Sequence, residues 1–243
     1  MKRFCLFLVF IVLGYSCIRE QKADLFTIQG QFSNSRSEKI VLCEMDIKEV
    51  IALDSANIGK DGKVGFSHQL DQPGFYVLMF PDGRRIILVM KRGENLLIKG
   101  DLRDPDGALN LSGSEGSQLL ESFFRATMKN KVRIDSLKRV LRNHEGSGDF
   151  LRFSMTADSM FFRISEDQKK SEKEFIDRNP QSLASLIVLN YSFGPKPVLT
   201  MEEDLPYYQK LTSLYRSYPK NKHVLFHLAR VSLFLNNLKN SVN

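Results

Sequence analysis

The periodicity of the chain changes once, near residue 115, and that change limits the folds open to it. From Leu25 to Ser112, apolar residues recur at every second position in short runs separated by turn residues, as in antiparallel strands. Eight strands are expected, at 26–32, 39–45, 50–58, 63–68, 74–80, 85–91, 95–101 and 108–111. Asp61-Gly62 and Asp82-Gly83 read as two-residue hairpin turns that want positive φ, and Pro73-Gly74 presets another bend. Strands adjacent in sequence are therefore expected to pair. Residues 76–80 and 86–90 are apolar on both faces, which predicts central strands covered on both sides, whereas the first strand alternates and should be half exposed.

Beyond Gly116 the spacing is helical. Leu120, Phe123, Phe124, Thr127, Met128, Ile134, Leu137 and Leu141 fall largely on one face. Phe150, Phe153, Phe161, Ile164 and Phe175 repeat the pattern after a polar break at 144–148, which predicts a long antiparallel helical hairpin. Asn179-Pro180 reads as a cap and first turn for a third helix ending at Leu189. Gly194-Pro195-Lys196-Pro197 then breaks the chain before two shorter helices, at about 204–217 and 221–238. The expected class is α+β, with an antiparallel β-sandwich or curled sheet over 25–114 followed by a helical domain over 115–243. With 42% apolar and 26% charged residues, the composition is that of a globular protein.

The N-terminus reads as an address. Lys2 and Arg3 precede an apolar run from Phe4 to Leu13, then Gly14-Tyr15-Ser16-Cys17. The run is about half of the roughly 20 residues needed to span a bilayer, so a cleaved export signal over 1–16 is expected rather than a spanning helix. Gly14-Tyr15-Ser16-Cys17 resembles a bacterial lipobox, which would make Cys17 the lipidated first residue and 17–24 a tether. With Cys5 in the signal and Cys17 carrying lipid, only Cys43 stays in the body, so no internal disulfide and no Cys-x-x-Cys pair is expected. Cys43, in an alternating stretch, reads as a small buried apolar residue.

Motifs spread over most of this body follow a recognisable order. They are Phe26-Thr-Ile-Gln-Gly30, Leu53-Asp-Ser55, Gly59-Lys-Asp-Gly62-Lys-Val-Gly-Phe66, Pro73-Gly-Phe-Tyr-Val-Leu78, Gly93-Glu-Asn-Leu-Leu-Ile-Lys-Gly-Asp101, Leu111-Ser-Gly-Ser114 and Phe175-Ile-Asp-Arg-Asn-Pro-Gln-Ser182. The order resembles the domain of unknown function that precedes a thioredoxin domain in bacterial lipoproteins of the TlpA/ResA-like (AhpC/TSA-type) thiol-disulfide oxidoreductase group. The resemblance implies a lipobox, a β domain and a helical segment, with a thioredoxin domain after them. Here the sequence ends at Asn243 without that domain, so no catalytic residue is carried over.

Individual candidates for chemistry mostly read as structure. His223 and His227 share a helix face at metal-ligand spacing, but no acid follows the first and no third ligand is evident, so packing is expected. Asp54-Ser55 lacks an activating histidine, and Gly113-Ser-Glu-Gly-Ser117 reads as a helix start rather than a phosphate loop. Thr200 and Glu203 have the spacing of a capping box. No catalytic residue, metal or cofactor is assigned.

Charge is the exception. The net charge is +7, from 35 Lys and Arg against 28 Asp and Glu, too modest to call for nucleic acid. The excess is local: Arg125, Lys129, Lys131, Arg133, Lys138, Arg139 and Arg142 face only Asp135 within residues 125–142. These seven are the candidate contacts for anionic lipid headgroups or an acidic partner. The expected function is a lipid-anchored, extracytoplasmic, non-catalytic binding or scaffolding protein with an envelope protein as partner. The alternative is an accessory or split half of a redox enzyme acting through a thioredoxin-fold chain.

Overall fold

The computed structural model describes residues 24–104, 109–194 and 196–241. The expected signal, Cys17 and nearly all of the tether lie outside them, as do the first residue of the last expected strand and Pro195 of the expected break. Among the described residues eight strands are present: β1 (Leu25–Ser33), β2 (Lys39–Met45), β3 (Val50–Asn57), β4 (Lys63–Gln69), β5 (Gly74–Met79), β6 (Arg85–Met90), β7 (Asn95–Asp101) and β8 (Asn110–Ser112). They form two four-stranded sheets, ordered β4-β1-β7-β8 and β3-β2-β5-β6. Helices follow, so the class is α+β as expected: α1 (Glu115–His144), α2 (Phe150–Arg178), α3 (Ala184–Leu189), α4 (Met201–Lys210), α5 (Leu214–Ser217) and α6 (Lys222–Asn240).

Alternation dictates the sandwich. In β1, Phe26, Ile28 and Phe32 point inward, and in β4, Val64 and Phe66 do. Across the gap they meet Ile40 and Leu42 of β2, Tyr76 and Leu78 of β5, and Ile86, Leu88 and Met90 of β6. Fully burying one such side chain contributes about 1.5–3 kcal/mol.

Pairing departs from expectation. Only β2–β3, β5–β6 and β7–β8 pair with their sequence neighbours, and β1 runs parallel to β7, with Thr27 opposite Asn95 and Ser33 opposite Asp101. The Asp61-Gly62 turn is tight, with Gly62 at φ 78 donating to Gly59 C=O at 2.9 Å, yet it joins strands of different sheets. Turn chemistry sets the local bend; the sheet that receives the next strand is set by where its apolar face finds cover. The face formed by Val64 and Phe66 joins β1, with Gly30 opposite Val64 and Ile28 opposite Phe66. The Asp82-Gly83 turn does make a hairpin, but with three loop residues: Gly83 at φ 87 donates to Phe80 C=O, and Phe80 donates to Arg84 C=O.

β5 is central, as its two apolar faces imply, but β6 is an edge strand. It is buried because α1 starts against it. Ser117 Oγ accepts from Val89 N–H at 3.1 Å and lies 3.0 Å from Val89 C=O, to which Ser114 Oγ donates at 2.8 Å. Two serines thus satisfy the N–H and C=O of Val89, which the edge strand leaves open. Gly116 permits the approach, since a Cβ there would stand 2.8 Å from Val89 Cβ. Ser114→Ala with Ser117→Ala is expected to cost about 2–4 kcal/mol, the desolvation penalty of a stranded N–H and C=O. Urea unfolding of the double variant measures this, and Ser112→Ala, at an exposed position, is the control.

The outer face of the second sheet carries the other core. Phe75 and Val89 pack with Leu120, Phe123, Ile176, Leu183, Leu189, Tyr208 and Val224, so the helices continue the sheet's packing. The third helix starts later than expected, at Ala184. Asn179 ends α2 instead, where its N–H and side-chain amide both donate to Phe175 C=O, at 3.0 and 2.9 Å. Asn is as suited to stopping a helix as to starting one, and here the preceding turn uses it. Asn221 is a true N-cap of α6, accepting from His223 and Val224 N–H.

Candidate interaction surface

α1 and α2 have 30 and 29 residues, so each is about 45 Å long at 1.5 Å per residue. Their ends nearest the sheet join the second core, whereas Ile134, Ala157 and Ile164 are buried without belonging to either large core. The distal half of the hairpin is thus sealed by a narrow seam. Around that seam the apolar surface is open. Leu151, Met155 and Phe162 are 72%, 64% and 65% exposed. At i, i+4 and i+11 they form one row along α2. Met128, Val132 and Val140 of α1 and Phe150, Met160 and Phe161 of α2 are exposed too. Of the residues expected to share the inner faces, Met128, Phe150 and Phe161 are therefore partly exposed.

The seven cations do not share a face. Arg125 pairs with Glu121 at 2.7 Å and donates to Leu109 C=O, Arg133 lies 3.6 Å from Asp167, and Lys138 lies 3.9 Å from Asp135 and 3.5 Å from Phe193 C=O. Lys129, Lys131, Arg139 and Arg142 are exposed and have no carboxylate partner among the described residues. By spacing, Lys131, Lys138 and Arg142 form one row and Arg139 shares another with Met128 and Val132. Of these four free cations Lys131 and Arg142 thus share a row, while Arg139 stands in another, interleaved with exposed apolar side chains.

Inside the hairpin lies a polar seam that charge counting missed. Asn130 donates to Gln168 Oε1 at 3.2 Å, and Gln168 Nε2 donates to Thr127 Oγ1 at 3.3 Å and Glu172 Oε1 at 3.1 Å. Glu172 is 0% exposed, and its Oε2 has no hydrogen-bond partner among the described groups. Burial pushes its pKa up to about 9, against the bond from Gln168, and the charge of Asp204 adds to the rise. Glu172 is therefore a neutral acid at pH 7. Asp204, 2% exposed, goes the other way: burial acts against its charge, but Lys173 at 2.7 Å, Thr200 N–H and Lys169 at 3.2 Å hold its pKa below the usual value. Asp204 rather than Glu203 makes the reach-back to Thr200, while Glu203 pairs with Lys169 at 2.6 Å. Gln168 and Glu172 follow Ile164 at i+4 and i+8, so the row that carries the apolar seam also carries them inward. That spacing was the available signal.

The remaining candidates are structural in place. His223 Nε2 lies 2.8 Å from Met45 C=O, and His227 Nε2 lies 2.8 Å from Tyr208 C=O. Ser55 N–H bonds Asp54 Oδ1, and Ser114 and Ser117 serve Val89. Cys43 is buried 3.5 Å from Met79 Sδ; burial pushes its thiol pKa up, and Arg85 opposes this. An open cleft of about 810 Å³ lies along α4 and the distal part of α6. No described helix is long and apolar enough to cross a membrane.

One known family matches the segment whose geometry is now described. Residues 26–120 match a domain of unknown function, DUF4369. The DUF4369 match runs past β8 into α1 and so takes in Ser114, Gly116 and Ser117, the residues that close the edge of β6. The hairpin beyond residue 120 lies outside it. No curated protein matches the chain.

Proposed function

We propose that this chain is a lipid-anchored, extracytoplasmic, non-catalytic binding protein whose helical hairpin docks on a protein of the cell envelope. The observation that carries the proposal is the row Leu151, Met155 and Phe162, which an isolated helix would not keep in water without cost. The charges around it favour a protein over a lipid surface. Asp158 lies three after Met155 and four before Phe162, and Glu166 lies four after Phe162, so carboxylates stand in the same row. Anionic headgroups would repel them, whereas a protein can pair them and Arg139 individually. Export and lipidation rest on residues 2–17 of the sequence. The link to the front part of TlpA/ResA-like thiol-disulfide oxidoreductases rests on the order of motifs, and within this proposal it makes a thioredoxin-fold chain one expected class of partner.

The test is capture from detergent-solubilised envelope by the tagged protein, with and without prior thiol trapping, compared with the triple variant Leu151→Ser, Met155→Ser, Phe162→Ser. All three sites are exposed, so the variant should unfold within about 0.5 kcal/mol per site of the wild type. It should lose at least about tenfold of the captured partner, since a few apolar anchors carry most of an interface. An unchanged partner set would reject the hairpin as the dock, and absence of the protein from the membrane fraction would reject the anchor.

A further inference from the structure

The contacts inside the hairpin fix the height at which each residue of α1 stands beside α2. Asn130 donates to Gln168 at 3.2 Å, and toward the tip the rings of His144 and Phe153 lie 3.7 Å apart. Arg139 is nine residues after Asn130 and five before His144, and Asp158 is ten before Gln168 and five after Phe153. Since the helices run antiparallel, Arg139 and Asp158 stand at the same height to within about one residue, or 1.5 Å. By the same count Glu166 is level with Val132, and Phe162 falls between Val132 and Arg139. Within one chain these groups point apart. At about 100° per residue, Val132 and Arg139 are turned about 140–160° away from buried Ile134, and Asp158 and Phe162 about 100–160° away from buried Ala157 and Ile164. Arg139, Asp158 and Glu166 are exposed, and none has an ion-pair partner among the described residues.

We propose, building on the reading of the hairpin as a dock, that its partner is a second copy of this chain, laid alongside with its tip at the same end. The outer row of α2 in one copy then covers the outer row of α1 in the other. Equal heights do for two copies what they cannot do for one. Asp158 of the neighbour arrives level with Arg139, and Glu166 of the neighbour arrives level with Val132, one turn from the unpaired Lys129. Phe162 of the neighbour enters between Val132 and Arg139, where the charge at the same height, Asp135, already lies 3.9 Å from Lys138. A row that offers carboxylates thus meets a row that offers cations, with no shift along the axis. The contact joins unlike faces, so a copy that has lent its α1 still offers its α2, and association continues with concentration.

The experiment is sedimentation of the full chain in non-ionic detergent at low salt, from about 1 to 100 μM, for the wild type, Arg139→Glu, Asp158→Arg and the double variant. The average mass of the wild type should rise with concentration. Each single reversal sets like charges opposite one another and should weaken association at least about tenfold. The double variant should recover wild-type association to within about threefold, and an equimolar mixture of the two single variants should associate where neither does alone. Both positions are exposed, so every variant should keep the unfolding midpoint within about 2 °C, and loss of fold in a single variant is excluded by recovery in the double. A wild type that stays monomeric, single variants that associate as it does, or a double variant no stronger than the singles would each overturn the second copy as partner. If the wild type is monomeric but envelope capture is still lost in the Leu151, Met155 and Phe162 triple variant, only the second copy is rejected. Unchanged capture in that triple variant rejects the dock itself.

Discussion

Glu172→Gln is expected to stabilise the protein by about 3 kcal/mol or more at pH 8 and by almost nothing at pH 4. In the folded state Glu172 holds its proton up to about pH 9; in the unfolded chain it loses it near the ordinary value of 4.5. Below 4.5 both states are protonated and the residue carries no penalty. Between 4.5 and 9 the unfolded state is favoured by ionising, at up to about 1.4 kcal/mol per pH unit, and stability falls as pH rises. Gln keeps the shape and the bond from Gln168 but does not ionise, so the difference between the two proteins isolates this one group. His223 and His227 work in the opposite sense. Burial lowers both pKa values, against the bonds to Met45 and Tyr208 C=O, so they remove stability as pH falls below 6.5. Their effect is common to both proteins and cancels in the difference. Urea midpoints from pH 4 to 9 measure it, and parallel curves for the two proteins would show that Glu172 is not buried as a neutral acid.

Gly113→Ala is the second large effect, read against Gly83→Ala. Both glycines have nearly the same backbone, φ 90 and φ 87. A side chain in that left-handed region costs about 1–2 kcal/mol. At Gly83 nothing lies within 4 Å of a Cβ, so that is the whole cost, whereas at Gly113 a Cβ would stand 1.9 Å from Asn95 C=O. The obstacle is backbone of β7, which cannot swing aside without breaking its pairing with β1 at Thr27. Gly113→Ala should therefore lose at least about 3 kcal/mol, or roughly 6–12 °C in Tm for a chain of this length, against about 2–8 °C for Gly83→Ala. Equal losses in thermal unfolding would mean that strain alone is felt at Gly113.

The strands were legible because alternation is a local property. β2 and β7 fall where the pattern placed them, and the other strands differ by one or two residues at an end. Partner choice was not local. Nothing within Asn95–Asp101 announces that it runs parallel to β1, because that pairing depends on which apolar faces remain uncovered after the hairpins form. The hairpin was legible from its period, but its interior was not. The charges of α2 balance on paper, and the count hides that Glu172 is buried while Asp158 and Glu166 are exposed. The seven cations of α1 were visible as composition, yet a helix distributes neighbours in sequence around its circumference, so Arg125 and Arg133 are paired while Lys129 and Arg139 are not.

The closure of β6 by Ser114 and Ser117 bears on how the chain can be shortened. A fragment ended at β8 would keep every strand and both hairpin turns of the second sheet, and by strand count it would be complete. It would also present Val89 N–H and C=O, beside the apolar residues 86–90, as an uncovered template for strand addition. Such a fragment is expected to associate edge to edge, and retaining the first turns of α1 would keep that template covered.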